Sequence, residues 1–290
     1  MKMLVTGGAG DLGRALLPAL IEQGIDPASI DLREPSTRRG TFVKGSILDR
    51  PTLAKAMKDV DCVVHIAAWH GIHLFQQKKD VYDFWDLNVT GTFNVFQAAA
   101  EASVKRLVYI SSESVADRYG IYGNSKLMGE EIARTYAHRH GMNVVILRMR
   151  AFIPFWNPDA YSSWLDWAKW FWKGAVHIDD VRQSVLLSIG KLKEREFAEP
   201  PVLNIDGAYD YSAEDLATWD ARGPGSTFRK YYSKYYDLAV RNGLDPALKP
   251  ETLSIDEARR LLGYEPRYSL RNLLEELERF GAKGPPAPEL

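Results

Sequence analysis

The opening sixteen residues restrict the fold of this chain more than any other stretch. A short apolar run, Met3-Leu4-Val5, meets Thr6-Gly7-Gly8-Ala9-Gly10-Asp11-Leu12-Gly13 and then Arg14-Ala15-Leu16, which reads as strand, turn and helix. A Val/Leu-rich run this short marks a strand buried in a parallel sheet. A helix beginning straight after it aims unpaired backbone N–H groups and a positive dipole end into the crevice above the sheet, where phosphate binds. The three spaced glycines have separate tasks: Gly7 turns sharply, Gly10 lets a pyrophosphate approach the backbone, and Gly13 lets the helix pack closely on its strand. Asp31 follows Gly13 by 18 residues, near the end of a second run at 28–32, where a carboxylate accepts hydrogen bonds from ribose hydroxyls. Strand before, helix after and acid at this distance predict a dinucleotide site that includes Asp11 and Leu12.

The same alternation continues down the chain. Helix patterns at 11–23, 50–57, 81–102 and 119–140 are interleaved with strand patterns at 41–44, 62–66, 106–110 and 143–147. This predicts an α/β protein with a doubly wound parallel sheet of Rossmann type, ligands lying at the carboxyl ends of the strands. After residue 148 the rhythm stops. Residues 151–176 hold five of the eight tryptophans, where a substrate-facing insertion is expected to begin. We therefore expect a dinucleotide-binding domain over 1–150, with about 176–206 returning to it, and a smaller interleaved substrate lobe from 151–175 and 207–280. The Gly/Pro-rich residues 281–290 are expected to be a disordered tail.

A chain of 290 residues buries roughly 75% of its unfolded surface and needs no metal or disulfide to hold it. Lys and Arg total 37 against 38 acids, so a net charge of -1 gives no field to steer nucleic acid or anionic lipid. The aromatic-rich stretch 228–236 is discounted as a base-stacking surface on the same ground. The lone Cys62 suits a reducing interior. Met1-Lys2 leads directly into a core strand, and no apolar run approaches the ~18 residues of a membrane span. The expectation is a cytoplasmic protein that touches neither membrane nor nucleic acid and uses no metal, His138 and His140 lacking partners at ligand spacing.

Tyr122-Gly123-Asn124-Ser125-Lys126 lies on an expected helix, and the spacing of four sets phenol and ammonium on one face. A nearby cation favours phenolate and lowers a tyrosine pKa, so Tyr122 can remove a hydroxyl proton while hydride leaves the same carbon. Ser112, just after the strand ending at Ile110, is placed to hydrogen-bond the same oxygen. With the upstream turn Gly-x-x-Gly-x-x-Gly, the set Ser112, Tyr122 and Lys126 resembles the catalytic triad of the extended short-chain dehydrogenase/reductases, the sugar epimerase/dehydratase family. His65-Ile66-Ala67-Ala68, residues 88–95 and His177-Ile178-Asp179-Asp180-Val181 carry the likeness further.

The resemblance implies NAD as cofactor and a homodimer built on the helices at 81–102 and 119–140. It also implies that Asp31 and Arg33 face the adenosine ribose, Ser46 and Ile47 the adenine, Ala67 and Ala68 the cofactor backbone, and Asn88 the cofactor side of the pocket, with Tyr122 and Lys126 also touching the nicotinamide ribose. Asp31 disfavours the 2'-phosphate of NADP, although Arg33 and the pair Arg38-Arg39 can tolerate one. His70, with His73 beside it, and Ser112, Glu113 and Arg148 are the substrate-side candidates.

The chain departs from the family in three places. Ser46 replaces an Asp after Gly45, leaving Asp49 as a weaker substitute. Tyr122 follows Ser112 by only ten positions, and Ala151 replaces the Asn that holds a diphosphate in nucleotide-sugar members. A smaller substrate is implied: a free sugar, a uronic acid or a related polyol. In this trimmed form the sequence is similar to the family's uronate and sugar dehydrogenases. The expected activity is NAD-dependent oxidation or reduction of a sugar-type hydroxyl or carbonyl. The alternatives are an NAD-dependent sugar or nucleotide-sugar epimerase or dehydratase, and a non-catalytic NAD(P)-binding regulator; Ser114 in place of a second acid counts against dehydration.

Overall fold

Apolar runs without polar alternation become strands buried on both faces, and amphipathic stretches cover them. The computed structural model describes residues 1–36 and 40–288, so the Arg38-Arg39 expectation lies outside the described residues. In chain order the elements are β1 (Lys2–Thr6), α1 (Asp11–Glu22), β2 (Asp26–Asp31), β3 (Thr41–Lys44), α2 (Arg50–Ala56), β4 (Cys62–His65), α3 (Gly71–Phe75), α4 (Val81–Phe84), α5 (Gly91–Glu101), β5 (Arg106–Ser112), α6 (Ile121–His140), β6 (Asn143–Met149), α7 (Trp164–Phe171), α8 (Ile178–Glu194) and β7 (Val202–Ile205). Then follow α9 (Ala213–Ala217), α10 (Trp219–Arg222), α11 (Ser226–Tyr231), a 3-10 turn (Ser233–Tyr235), α12 (Tyr236–Arg241), α13 (Asp256–Leu262), α14 (Leu270–Phe280) and a second 3-10 turn, Gly281–Lys283.

All seven strands are parallel, in the order β3-β2-β1-β4-β5-β6-β7. The order reverses between β1 and β4, and the crevice above this switch point is where open α/β sheets bind ligands. One core face joins β-strand side chains such as Val5, Val64 and Val145 to α1 and α8, and the other joins Leu4, Val63 and Ile146 to α2, α5 and α6. A third core, built on Trp164, Trp167, Phe171, Trp172, Phe228, Tyr235 and Leu273, forms the second lobe. Among the described residues no helix is long and apolar enough to cross a membrane.

Four local expectations change. The single helix over 81–102 is broken by a π-helical turn, Trp85–Thr90, which rotates Asn88 inward to 1% exposure; such turns recur at functional sites. The tryptophan-rich segment forms α7, capped by Ser163, and its large rings fill the third core. Residues Ile255, Ala258, Leu262 and Tyr264 belong to the core beneath the sheet, so the stretch 207–280 is not wholly substrate lobe. The tail is ordered at its start: after the 3-10 turn, Gly284 (φ +67°) lies so close to the Trp164 ring that no side chain fits there.

Candidate active site

The turn after β1 leaves no space for side chains. Gly7 has φ +75°, and a Cβ on it would lie 2.9 Å from the Ala67 nitrogen. A Cβ on Gly13 would clash with Gly7 O, and one on Gly8 would meet Ser29 Cβ at 2.6 Å, the latter a constraint not foreseen from sequence. Gly10 caps α1 with extended backbone and no side chain occupies the cap, so the helix's first N–H groups stay available. Leu12 is buried and offers only its backbone to this crevice. Asp31 ends β2 with both carboxylate oxygens engaged, Oδ2 accepting from Ala9 N at 3.0 Å and Oδ1 from Arg33 N at 3.0 Å. An open backbone turn, an uncapped helix and a carboxylate beside them suit the diphosphate and ribose of a dinucleotide.

Thr6, which sequence reasoning overlooked, joins this turn to the next strand. Its Oγ1 accepts from Ile66 N (3.1 Å) and Ala67 N (3.2 Å) and pairs with His65 Nδ1 at 2.7 Å, while His65 Nε2 meets Thr92 Oγ1 at 2.9 Å. Burial pushes the His65 imidazole down to about 3, so it is a neutral bridge. Ala68 follows, half-buried. At the adenine end Ile47 is buried against Gly91, and Asn94 donates to its carbonyl at 3.1 Å. Ser46 Oγ accepts from Leu48 N. Asp49 does not stand in as an adenine ligand: it caps α2, accepting from Thr52 N and, at 2.6 Å, from Thr52 Oγ1.

Ser112 closes β5, and Tyr122 and Lys126 project from the first turns of α6 across from it. Lys126 is 4% exposed; its ammonium donates to Ile110 O at 2.7 Å and lies 5.2 Å from the Tyr109 ring. Burial lowers its pKa to about 7, the Glu130 carboxylate opposing that fall. Tyr122 is half-buried, and its phenol is pushed up to about 12 by desolvation, against a hydrogen bond from Ser112 and with the Glu113 charge adding to the rise. The sequence expectation of a phenol lowered by Lys126 is thus not met by the protein alone, because the ammonium is turned to the Ile110 carbonyl. Asn88 is not free to reach a cofactor either: Oδ1 accepts from Trp69 N at 2.7 Å and Nδ2 donates to Trp69 O and Ser125 Oγ, both at 2.9 Å. It ties the loop after β4 to α6.

Arg148 is also removed from the substrate side. Its guanidinium makes a fork with buried Glu130, Nε to Oε1 at 2.8 Å and Nη2 to Oε2 at 2.7 Å, and Ser111 Oγ donates to the same carboxylate at 2.6 Å. Two residues on, Arg150 Nη1 donates to Asp206 Oδ2 (3.0 Å), Tyr209 Oη (3.3 Å) and Glu251 O (2.7 Å), joining the end of β6 to the second lobe. Glu113 is half-buried beside Arg150, and burial raises its carboxyl. His70 precedes α3, its ring 4.4 Å from that of His73, and a Cβ on the next residue, Gly71, would lie 3.5 Å from Tyr122 Cδ1. The loop after β6 bridges the cleft: Asn157 Nδ2 donates to Asp11 Oδ2 at 2.8 Å, Trp156 lies under the Arg14 guanidinium, and Gln76 Nε2 donates to Asp159 O at 3.0 Å.

Residues 3–153 match the family model described as NAD dependent epimerase/dehydratase. The L-arabinose 1-dehydrogenase (NAD(P)(+)) of Haloferax volcanii is 29% identical over 182 residues, 51% of this chain and 66% of that protein. The 4-hydroxy-2-methyl-3-oxo-4-farnesyl-3,4-dihydroquinoline-1-oxide ketoreductase of Stigmatella aurantiaca is 25% identical over 98% of both chains. The UDP-glucuronic acid 4-epimerase of Bacillus cereus, solved with UDP-glucuronic acid and NAD, shares the fold with a TM-score of 0.69 at 23% identity, over 98% of each chain. The chain spans between 45% and 66% of the length of the first curated relatives it matches. The family match runs from β1 through β6 and so takes in the glycine turn, Ser112, Tyr122 and Lys126. The chain belongs to the NAD-dependent epimerase/dehydratase family, an extended branch of the short-chain dehydrogenase/reductases whose cofactor is NAD.

Proposed function

We propose that this chain is an NAD-dependent oxidoreductase that oxidises or reduces a hydroxyl or carbonyl carbon of a small sugar-type substrate. The observation that carries the reading is the convergence of Ser112, Tyr122 and a buried Lys126 at the ends of β5 and α6, one loop away from the uncapped start of α1. Gly7, Gly10, Asp11, Leu12 and Gly13 hold the diphosphate, Asp31 and Arg33 the adenosine ribose, Ser46 and Ile47 border the adenine, and Ala67, Ala68, Tyr122 and Lys126 line the nicotinamide end. Bound NAD supplies the hydride acceptor, and the positive charge of its ring favours phenolate in the same cleft.

Ser112 holds the reacting oxygen by hydrogen bonding. Tyr122 exchanges a proton with that oxygen. In the reducing direction the neutral phenol, held up to about 12, is already the proton donor. In the oxidising direction it must act as phenolate, and the Lys126 ammonium is the cation within the chain that stabilises it. Thr6 and Asn88 hold the loop after β4, which borders this centre.

We also propose a homodimer. Val81, Tyr82, Trp85 and Phe93, all exposed along α4, the π-helical turn and α5, support it. Light scattering tests it, and a monomeric mass refutes it.

The experiment for the activity mixes purified protein and NAD with candidate substrates and follows NADH. Tyr122→Phe is expected to abolish turnover while leaving NADH affinity within about twofold, since only the proton-transferring hydroxyl is lost. Undiminished turnover in the variant refutes the assignment. Conversion of substrate without net NADH identifies an epimerase instead.

A further inference from the structure

The hydrogen bonds around His65 give it a task at the cofactor site, and that task rests on the cofactor reading above but not on the identity of the substrate. The pairing of β1 with β4 ends at Thr6 and His65. The next two N–H groups, of Ile66 and Ala67, both go to Thr6 Oγ1, at 3.1 and 3.2 Å. The same loop lies against the glycine turn, where a Cβ on Gly7 would come within 2.9 Å of Ala67 N. One buried hydroxyl thus fixes the Ala67 wall beside the turn that suits a diphosphate.

The protons of this cluster follow from counting. A threonine oxygen has two lone pairs and one proton. Both lone pairs of Thr6 Oγ1 are taken by amide donors, so its proton goes to the remaining neighbour, His65 Nδ1, at 2.7 Å. Nδ1 therefore accepts, and the ring proton sits on Nε2, which donates to Thr92 Oγ1 at 2.9 Å. The other tautomer sets an N–H against an O–H, and so does the imidazolium; either would displace an amide from Thr6. Thr6 is fully buried, and His65 and Thr92 are 1% and 2% exposed, so solvent does not make good a lost partner. The His65 ring also lies 5.7 Å from the ring of Tyr109, whose hydroxyl donates to Lys126 O at 3.4 Å.

We propose that His65 is a positioning residue for NAD: locked as the neutral Nε2–H tautomer, it orients the Thr6 hydroxyl and through it holds Ile66 and Ala67 as a preset wall of the cofactor cleft. It acts through Thr6 and touches no cofactor atom. Thr92 anchors the ring to α5, and Tyr109 links it to α6, so the cofactor wall and the helix of Tyr122 and Lys126 share one support. Without the acceptor at Nδ1, the Thr6 proton turns elsewhere and an amide is given up. Part of the binding energy of NAD then goes to restoring the loop.

Two readouts test this on the intact protein without any substrate. In protein labelled with nitrogen-15 histidine, two-bond proton–nitrogen correlations report the tautomer. His65 is expected to carry its proton on Nε2 alone, unchanged from about pH 5.5 to about pH 8, a range that spans the ordinary imidazole pKa. The second readout is NADH affinity, from fluorescence titration of folded protein. His65→Leu is expected to weaken NADH binding about tenfold, the worth of one buried hydrogen bond. Asn sets its amide oxygen near the place of Nδ1, so His65→Asn keeps affinity within about threefold although it loses the bond to Thr92. Thr6→Val weakens binding about as much as His65→Leu, and combining the two adds little, because they act in series.

A His65 that titrates in this range, or that is protonated on Nδ1, overturns the proposal. So does NADH affinity that is unmoved in His65→Leu, or lowered equally in His65→Leu and His65→Asn, which is the mark of lost packing alone. Should His65→Leu fail to fold, the tautomer and the contrast between His65→Asn and Thr6→Val decide. Wild type that shows the expected tautomer but binds no NADH refutes the cofactor site and the role of His65 together. Wild type that binds NADH but turns over no sugar refutes only the substrate reading.

Discussion

Lys126 can be tested before any substrate is known, because its burial makes folding stability depend on pH. The side chain is 4% exposed, it has one hydrogen bond to a neutral carbonyl, and its pKa falls from 10.5 to about 7. A lysine whose folded pKa lies below its unfolded value binds fewer protons in the native state, so its contribution to stability rises with pH across the window between the two values. At pH 7 the folded group is half protonated, and its burial costs on the order of 4 kcal/mol; at pH 9 it is neutral in the native state, and the residual cost is about 2 kcal/mol. Replacement by Met removes this group and leaves the rest of the titrating set in place. The stability difference between Lys126→Met and wild type, from urea unfolding followed by tryptophan fluorescence, is therefore expected to shift by about 2 kcal/mol toward wild type between pH 7 and pH 9. A difference constant to within about 0.5 kcal/mol means that Lys126 titrates near its ordinary value, and it refutes the buried, nearly uncompensated ammonium on which the proposed proton transfer rests.

Two further perturbations probe the cofactor side. Asp31→Ala removes both acceptors that brace Ala9 and Arg33, and with them the charge expected at the ribose. It should raise the NAD Michaelis constant roughly 10- to 100-fold, the scale of a lost hydrogen bond to a charged group, and should affect NADP less; unchanged NAD kinetics would remove Asp31 from the site. Asn157→Ala cuts the bond from the loop after β6 to Asp11, and the NADH release rate in stopped flow should rise by about fivefold, the worth of one hydrogen bond. An unaltered release rate would show that this loop does not gate the cleft.

The division between what the sequence discloses and what it withholds follows the range of the interactions. The glycine turn is legible because steric exclusion acts over a few residues: the clash a Cβ on Gly13 would make is with Gly7 O and Gly8 O, six and five positions away. The sheet is legible for the same reason, since each buried strand carries its own apolar run, as in Cys62–His65 and Asn143–Met149. The π-helical turn at Trp85–Thr90 was not, because nothing local marks the extra residue that turns Asn88 inward. Its cause is the distant Trp69 backbone and Ser125. The tryptophan cluster was ambiguous for a related reason. An aromatic ring at helical spacing looks alike whether it covers a ligand or fills a core, and only the meeting of α7 with α11, α12 and α14 decides for the core.

The arginines at the end of β6 show the same limit in its sharpest form. Arg148 lies in β6 and Arg150 just past its end, two residues on, and the sequence singles out Arg148 as a substrate-side candidate. Their fates are set by carboxylates 18 and 56 positions distant, Glu130 and Asp206. A guanidinium forked onto a buried carboxylate cannot turn to a ligand without leaving that carboxylate unpaired, at a cost of about 3 to 5 kcal/mol. A substrate phosphate or carboxylate would have to exceed that cost to recruit either arginine, whereas a hydroxyl asks nothing of them. The end of β6 is thus built from two closed ion pairs, Arg148 with Glu130 and Arg150 with Asp206. If an anionic sugar nonetheless displaced Glu130 from Arg148, the release of Glu130 would also strip the nearest counter-charge from Lys126, lowering its proton affinity at the moment the phenolate needs a cation beside it.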